Sequence, residues 1–250
     1  MTLAQPGIDV DLSGKVAIVT GSGRGIGRAI AQAYAAAGAS VVVAARTRSE
    51  IDGVVAEIEA SGGTARAVPT DVADPEALAA LVDTTVETWS RLDLVVANAG
   101  TVTARRPGSP IDDFADVLAV NLVSVHALAR LAEPHLGERG GKFVVMGSGA
   151  GRQPFPGAAG YSVSKAAAAM LVRCLAVEWR EARIAVNELV PGPVHTTMAA
   201  GITDAPGLPA GVRLDWHKTP DDVVPLALFL AGLPDDGPSG QTFSLLGRDL

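Results

Sequence analysis

Cysteine and positive charge are scarce in this sequence. It contains one cysteine, Cys174, so no internal disulfide can form, and the apolar stretch around it (170–177) predicts a buried helix. A single buried cysteine suits a reducing compartment. Lys and Arg number 20 against 27 Asp and Glu, which gives a formal net charge of −7. Nucleic acids and anionic membranes are bound by clustered Lys and Arg, so we expect neither as a partner.

Long apolar runs and metal-binding patterns are also missing. The N-terminal stretch 1–14 has neither the basic flank nor the apolar core of a secretory signal, and no later segment gives about eighteen uninterrupted apolar residues. We therefore expect a cytoplasmic protein. His126, His135 and His217 show no metal-ligand spacing, and no second Cys or paired carboxylate lies near them in the sequence. We expect no catalytic metal.

Apolar residues are abundant and regularly arranged, which predicts a single α/β domain over residues 1–250. The hydrophobic fraction is 48%, against 19% charged residues, and such a chain can bury a sizeable core. Short β-branched runs alternate with longer Ala- and Leu-rich periodic stretches. This alternation predicts a doubly wound, mostly parallel seven-stranded sheet between two layers of helices. The expected strands are 16–20, 41–45, 65–70, 94–97, 142–146, 184–190 and 242–245, and helices are expected to start near Gly25, Arg48, Pro75, Ile111, Ala159 and Pro220.

Two segments break this alternation. Residues 1–12 are expected to form a loose tail. Residues 197–217 are rich in Gly, Pro and Ala with little periodicity, and a long irregular segment of this kind usually forms a lid or a binding loop. The same composition also suits a flexible loop that lines no pocket.

A glycine-rich loop follows the first predicted strand and leads directly into an Ala-rich helix. Glycine permits a tight turn and lets backbone N–H groups approach a pyrophosphate, and the helix N-terminus adds partial positive charge. A dinucleotide is therefore the expected ligand. The alternative is a turn that merely connects strand and helix. The loop consists of Gly21, Ser22, Gly23, Arg24, Gly25, Ile26 and Gly27.

The residue that follows the second predicted strand bears on which dinucleotide is bound. An NAD site would place Asp or Glu here to hold the ribose hydroxyls, but this strand is followed by Arg46. Arg24 and Arg46 can instead pair with a 2′-phosphate through forked, charge-assisted hydrogen bonds. We therefore hypothesise a preference for NADP(H), with NAD(H) as the alternative.

Tyr161 and Lys165 stand four residues apart in a predicted helix and therefore share one face. A free phenol titrates near about 10, and an adjacent ammonium lowers this pKa because it favours the phenolate. An oxidised nicotinamide would act in the same direction. The pair thus predicts an acid/base of tunable strength.

Ser148 and Asn121 are polar residues that the same site could use. Ser148 follows the predicted strand 142–146, at the carboxyl end where open α/β sheets bind ligands, and its hydroxyl could hold a substrate oxygen. Asn121 lies in an apolar helical stretch where a buried amide needs partners, and it could position a water near Lys165. Taken singly, each residue is more often structural, so the prediction depends on their order behind a phosphate-binding loop.

In these motifs the chain resembles the short-chain dehydrogenase/reductase family, in its single-domain branch of about this length. The resemblance covers nearly everything from Leu12 to Phe243. Residues 13–17, followed by Thr-Gly-x-x-x-Gly-x-Gly at 20–27, are similar to the family's cofactor loop. Ser148 also stands thirteen residues before the tyrosine, as the family pattern requires.

The resemblance implies a Rossmann-type fold and assigns roles to residues along the chain. The implied catalytic tetrad is Asn121, Ser148, Tyr161 and Lys165, in which Lys165 also bonds the nicotinamide ribose and Tyr161 exchanges the hydroxyl proton. Further implied cofactor contacts are Asp71 and Val72 at the adenine, Asn98, Ala99 and Gly100 beside the cofactor, and Pro191, Gly192, Val194 and Thr196 around the nicotinamide.

The expected function is the reduction of a small-molecule ketone, aldehyde or 3-oxoacyl group, because a preference for NADP(H) goes with reduction in cells. An NAD-dependent alcohol or hydroxysteroid-type dehydrogenase and a non-catalytic dinucleotide-binding module are the alternatives. Trp179 and the apolar helix 111–136 could leave apolar faces for subunit contacts. Since family members commonly form tetramers through these helices, the resemblance implies a homo-oligomer, either a tetramer or a dimer.

Overall fold

Seven β-strands form one sheet in the order β3-β2-β1-β4-β5-β6-β7, and each neighbouring pair is parallel. The computed structural model describes residues 10–102, 112–154, 157–196, 198 and 218–246. The central strands are rich in Val, Ile and Ala and are buried on both faces, as expected for a parallel sheet between two helix layers. The strands are β1 (Val16–Thr20), β2 (Ser40–Ala45), β3 (Thr64–Pro69), β4 (Leu94–Ala97), β5 (Gly141–Met146), β6 (Ile184–Val190) and β7 (Thr242–Ser244).

Helices cover both faces of the sheet. Buried residues of the first, second and seventh helices pack on one face, and those of the third, fifth and sixth pack on the other. A π-helical turn (Ala119–Val123) joins the fourth helix to the fifth, and short 3-10 turns lie at Gly149–Gly151 and Pro220–Val223. The helices are α1 (Gly25–Ala36), α2 (Arg48–Ala60), α3 (Pro75–Trp89), α4 (Asp112–Leu118), α5 (Ser124–Gly137), α6 (Ala159–Glu178) and α7 (Val224–Gly232).

The strand order creates a crevice in the middle of the sheet. β1 pairs with β2 on one side and with β4 on the other, so the chain winds outward in both directions from β1. In sheets of this kind, ligands bind outside the carboxyl ends of the strands at the point where the order reverses. The functional site is therefore expected near the ends of β1 and β4.

The predicted architecture is confirmed. Each expected strand is present with both ends within one residue of the predicted position, and helices start at Gly25, Arg48, Pro75 and Ala159 as expected. Pro220 starts a 3-10 turn that leads into α7 rather than an α-helix. The expected helix start at Ile111, most of the tail 1–12 and all of the binding loop 197–217 except residue 198 lie outside the described residues.

Two predictions about α6 and its C-terminal end are wrong. Cys174 is exposed rather than buried. Trp179 does not contribute to a surface for subunit contacts, because it is 1% exposed and packs edge-on against Phe143 in the core, with ring centroids 5.8 Å apart. The helix is apolar on most of its circumference, so its sequence does not indicate which face turns inward.

Two helical stretches are long and apolar enough to cross a membrane by length and composition alone, Phe114–Gly137 and Ala159–Glu178. In each, 33% of the apolar window is buried inside the protein. The inward side chains, such as Leu128 of α5 and Val172 of α6, belong to the core on one face of the sheet. Burial against the sheet accounts for the apolar character of one face of each stretch.

Candidate active site

The glycine loop between β1 and α1 lies against the backbone at the end of β4. Gly21 has a φ of +65°, and a Cβ atom there would be 2.8 Å from the Cα atom of Ala99. A Cβ atom on Gly27 would be 2.5 Å from both the Asn98 amide nitrogen and the Gly21 carbonyl oxygen. Larger side chains would force the two segments apart, so these glycines are needed for the close approach.

Ser22 and Asn98 use their side chains to hold this loop in shape. The fully buried Ser22 hydroxyl donates to the Val19 carbonyl (2.6 Å) and accepts from the Ala44 N–H (2.9 Å). The Asn98 amide donates to the carbonyls of Thr20 (2.8 Å) and Gly21 (3.2 Å). Of the predicted cofactor-binding residues, these two therefore support the loop through their side chains.

The start of α1 is suited to an anion. Arg24 is the N-cap residue with extended backbone, and its side chain makes no cap hydrogen bond to the N–H groups of the first turn. Such N–H groups and the helix dipole bind phosphate. Thr196 lies beside this turn, because a Cβ atom on Gly25 would be 3.5 Å from its Cγ2 atom. The loop therefore fits the pyrophosphate of a dinucleotide.

The residues predicted to contact the 2′-phosphate and the adenine lie in the loops after β1, β2 and β3. Arg46 is exposed directly after β2. Arg24, whose side chain is 66% exposed, forms an ion pair with Glu50 of α2 (3.3 Å). Asp71 follows β3, and its carboxylate accepts from the N–H of Ala73 (3.0 Å) in a local turn. Its neighbour Val72 is half-buried and packs against the core.

Tyr161 and Lys165 lie one turn apart on α6, as predicted. The Lys165 Nζ atom is 5.9 Å from the centre of the Tyr161 ring and donates to the Met146 carbonyl (2.7 Å) at the end of β5. Burial lowers the pKa of Lys165 to about 8, and the negative charge of Glu188 opposes this shift. The lysine can therefore lose its proton close to neutral pH.

Burial raises the pKa of Tyr161, and a hydrogen bond with the Ser148 side chain opposes this increase. In the protein without cofactor the pKa of the phenol is therefore shifted upward, opposite to the direction expected from the ammonium, because burial disfavours the phenolate. The Ser148 hydroxyl also accepts from the Ala150 N–H (3.2 Å). Ser148 and Tyr161 thus meet, as the spacing in the sequence predicted.

Asn121 lies in the π-helical turn, where the widened backbone lets its buried amide reach two neighbouring segments. Its amide nitrogen donates to the Thr101 carbonyl (2.9 Å) and the Ser164 hydroxyl (3.0 Å), and its oxygen accepts from the Thr101 N–H (2.8 Å). A Cβ atom on Gly100 would be 3.3 Å from the Asn121 oxygen and 3.8 Å from the Lys165 Nζ atom. That Asn121 also positions a water near Lys165 stays a prediction.

The segment after β6 runs beside the same crevice. Pro191 is buried, Gly192 has a φ of +72°, and Val194 is 4% exposed and forms a β-bridge with Lys218. Thr196, as described above, reaches the start of α1. The predicted residues of this segment therefore lie along the path from the carboxyl end of β6 to the glycine loop.

Sequence reasoning missed Glu188 and Ser164. Glu188 is 2% exposed in β6, where its carboxylate accepts from the Thr242 hydroxyl (2.6 Å). A charged residue in the mostly apolar run of β6, which also contains Asn187, was the available signal. Ser164, the partner of Asn121, gave no comparable signal. Among the residues that the structure describes, no three His, Cys, Asp or Glu side chains cluster in a way that could hold a metal ion.

Comparisons with known proteins agree with this arrangement. The family model for short chain dehydrogenase matches residues 15–207. The chain is 35% identical to a 3-oxoacyl-[acyl-carrier-protein] reductase of Synechocystis sp., over 94% of this chain and 97% of the relative. It therefore belongs to the short-chain dehydrogenase/reductase family and is an oxidoreductase of that type.

Solved structures show the same fold. A short chain dehydrogenase from Burkholderia cenocepacia in complex with NADP superposes with a TM-score of 0.86 at 33% identity, covering 95% of this chain and 98% of the other. A 7α-hydroxysteroid dehydrogenase in complex with NADH and 7-oxo glycochenodeoxycholic acid also gives 0.86, at 32% identity and 96% coverage of both chains. The family thus includes both NADP and NAD(H) complexes.

Proposed function

We propose that this protein is an NADP(H)-dependent reductase of a ketone, an aldehyde or a 3-oxoacyl group, with Tyr161 as the acid/base. The observation that carries this proposal is the meeting of Tyr161, Ser148 and Lys165 at the carboxyl end of β5, with Lys165 also close to Gly100 after β4. The nicotinamide, when bound, supplies hydride to the carbonyl carbon or accepts it from the alcohol.

The chain's own residues manage the oxygen and its proton. The Ser148 hydroxyl holds the carbonyl oxygen, and the Tyr161 hydroxyl donates the proton that becomes the alcohol proton. Lys165 places positive charge next to the phenol, so the phenolate that remains after proton transfer is stabilised. Asn121 fixes the distance between its helical turn and Thr101 through two hydrogen bonds, and a third bond ties the turn to Ser164 of α6.

The cofactor contacts follow from the fit of the loop. The N–H groups at the start of α1 would hold the pyrophosphate, with Thr196 beside them. Arg24 and Arg46 would hold a 2′-phosphate. Glu50, now paired with Arg24, would have to share that guanidinium with the phosphate. Asp71 and Val72 would meet the adenine.

A reductase is favoured over two alternatives. The 3-oxoacyl-[acyl-carrier-protein] reductase named above supports reduction, and Arg46 in place of an acid supports NADP(H). An NAD-dependent alcohol or hydroxysteroid-type dehydrogenase is supported by the NADH complex with a similar fold. A non-catalytic binding module is disfavoured because it would have no need for Ser148, Tyr161 and Lys165 together.

The experiment that tests the function is a panel of ketones, aldehydes and 3-oxoacyl thioesters, with NADPH and NADH oxidation followed by absorbance. We expect turnover of at least one class, with a higher kcat/KM for NADPH. Turnover of alcohols with NAD alone would favour the dehydrogenase. Binding of NADPH without turnover of any compound in either direction would favour the binding module.

The Arg46→Asp variant is expected to reverse the cofactor preference. Loss of the guanidinium and repulsion between Asp and the 2′-phosphate should lower kcat/KM for NADPH by roughly tenfold or more, while kcat/KM for NADH stays equal or rises. Steady-state kinetics with both cofactors measure the ratio. Arg180→Asp is the matched control, because this exposed arginine precedes the amino end of β6, away from the crevice. An unchanged NADPH/NADH ratio in Arg46→Asp would contradict the assignment.

We further propose that the protein is a cytoplasmic homo-oligomer, a dimer or a tetramer, with no nucleic-acid or membrane partner. Large apolar side chains are exposed on the stretch 114–137 and on α6, and exposed apolar patches of this kind are typical of subunit contacts. They are Phe114 (41%), Val123 (59%), Val163 (47%), Met170 (52%) and Val177 (69%).

The Val177→Glu variant tests the subunit contact. A charge in an apolar interface loses its hydration without gaining a partner, so we expect the variant to elute as a smaller species in size-exclusion chromatography with light scattering. Ala80→Glu, on the exposed face of α3, is the matched control and should elute as the wild type. If both variants and the wild type share one mass, α6 is not a subunit contact.

A further inference from the structure

Glu188 is a buried carboxylate close to the site for which the mechanism above has no use. It is 2% exposed, in a strand whose seven residues are all buried. Placing a carboxylate in such a position costs free energy unless it is hydrogen-bonded or paired with a positive charge. Packing alone therefore does not explain a glutamate at this position of β6.

The surroundings of Glu188 accommodate its carboxyl group specifically. The Thr242 hydroxyl of β7 donates to one carboxylate oxygen (2.6 Å). On the other side, the carboxyl group lies against Gly147, where a Cβ atom would be 2.6 Å from the Glu188 Cδ atom. Gly147 itself is held to β6 by a hydrogen bond from its N–H to the Leu189 carbonyl (2.8 Å). Because residue 147 is a glycine, it leaves the space that the carboxyl group of Glu188 occupies.

Glu188 and Lys165 approach the end of β5 from the same side of the sheet. Alternate residues of a strand share a face, and Val186, two residues before Glu188, packs in the core cluster that includes α6. The Lys165 Nζ atom bonds the carbonyl of Met146, the residue directly before Gly147. The ammonium and the carboxylate therefore contact consecutive residues, Met146 at the end of β5 and Gly147 directly after it. Both charged side chains are buried, so water is largely excluded from this region.

We propose that Glu188 is a positioning residue for the acid/base, whose negative charge keeps Lys165 protonated and so sets the pH range in which the Lys165–Tyr161 pair retains its proton. This inference rests on the proposed function. The titratable groups that face Lys165 among the described residues are Tyr161 on its own helix and Glu188 on β6. The π-helical turn contributes the neutral amide of Asn121, and the end of β5 contributes a carbonyl.

The direction of the effect follows from charge alone. Lys165 and Tyr161 interact, so they titrate as a pair, and the first proton lost belongs to the pair. A nearby negative charge opposes that loss whichever group gives up the proton. Burial lowers the pKa of Lys165 to about 8, while Glu188 raises it. Removing the carboxylate charge must therefore let the pair lose its proton at lower pH.

The Glu188→Gln variant tests the proposal in both reaction directions. Carbonyl reduction needs the proton on the pair, so the alkaline limb of its kcat/KM profile should move to lower pH by roughly 0.5 to 1 unit. Alcohol oxidation needs that proton to be absent, so its acid limb should move to lower pH by the same amount. A general loss of structure would lower the rates at all pH values and leave the limbs in place.

A measurement without cofactor gives an independent readout. The chain has two tyrosines. Burial raises the pKa of both, but that of Tyr34 much more strongly, so the first tyrosinate absorbance change on raising the pH reports Tyr161. In Glu188→Gln this absorbance change should occur at lower pH than in the wild type. It should be missing in Tyr161→Phe, which verifies the assignment.

The controls separate this inference from the proposed function. Asp93→Asn removes another buried carboxylate, at the amino end of β4, and should lower stability without moving either limb. Glu188→Asp keeps the charge and should restore the limbs towards their wild-type positions. If Glu188→Gln gives no folded protein, Glu188→Leu removes the same charge with a side chain suited to this apolar strand, and the same displacement is required.

The outcomes are distinct. Suppose that Tyr161→Phe inactivates the enzyme and that a folded variant without the Glu188 charge shows limbs that do not move or that move to higher pH. This result would overturn the role of Glu188 alone. Wild-type reduction by Tyr161→Phe would instead overturn the proposed function. Binding of NADPH, followed by its fluorescence, should be unchanged in Glu188→Gln, because the carboxylate contacts Thr242 and Gly147, and neither is a proposed cofactor contact.

Discussion

Tyr161→Phe is expected to lower kcat/KM for carbonyl reduction by about three orders of magnitude, within the usual contribution of a positioned general acid. The substitution removes only the hydroxyl, so the ring should still pack on α6, and NADPH should bind with an unchanged Kd. Steady-state reduction kinetics and fluorescence titration with NADPH measure the two effects. Because the phenol is buried and its pKa is raised, water has little access to replace the lost proton donor.

Tyr34→Phe is the matched control for this variant. Its hydroxyl donates to the Ala227 carbonyl (3.0 Å) and so links α1 to α7, away from the crevice. We expect it to lower the free energy of unfolding by about 1 kcal/mol and to leave kcat/KM within twofold of the wild type. Wild-type reduction by Tyr161→Phe with intact NADPH binding would show that another group supplies the proton.

Lys165→Met is expected to lower kcat for reduction by about two orders of magnitude, because the phenolate that remains after proton transfer loses its neighbouring positive charge. It should also weaken NADPH binding if Lys165 bonds the nicotinamide ribose, as we propose. Steady-state kinetics and NADPH titration measure both effects. A kcat close to that of the wild type would exclude an essential role for the ammonium.

The same variant should not be less stable than the wild type. The pKa of Lys165 is lowered from 10.5 to about 8 in the folded protein, so between these pH values the unfolded chain binds more protons, and the stability of the wild type rises with pH. Lys165→Met removes this dependence, and its free energy of unfolding at pH 7 should equal or exceed that of the wild type. Chemical denaturation at several pH values measures it.

Lys142→Met is the control for Lys165→Met. Lys142 is also a buried lysine, but it lies near the amino end of β5 and pairs with Asp235 (2.5 Å). Its loss should lower the melting temperature and leave kcat unchanged. The two variants thus distinguish Lys142, which stabilises the fold, from Lys165, which lowers stability but is needed for catalysis.

Particular residues show how far the sequence leads. The ends of β1, β4 and β6 were predicted to the residue, because short runs rich in β-branched and other apolar residues are a strong local signal. The i, i+4 spacing of Tyr161 and Lys165 fixed their shared face by helix geometry alone. Ser148 was predicted from its position after a strand, and the structure brings it to the phenol.

Other features escaped because they depend on contacts between distant segments. The π-helical turn at Asn121 forms where its amide meets Thr101 and Ser164, and the local sequence is that of an ordinary apolar helix. The inward face of α6 could not be predicted, since apolar residues occur on all its sides, so Cys174 and Trp179 were assigned to the wrong environments. The role of the Glu188 carboxylate could be inferred only from its contacts with Thr242 of β7 and with Gly147, directly after β5.

The sequence alone thus determined the fold class, the position of the glycine loop and the shared helix face of Tyr161 and Lys165, because periodicity, glycine geometry and spacing act over a few neighbouring residues. Only the tertiary structure decided the electrostatics of the site. Burial raises the pKa of the phenol and lowers that of the ammonium, and a carboxylate on β6, three strands away from β1, opposes the second shift. Desolvation and Coulomb forces depend on what the fold places around a group, which local sequence does not specify.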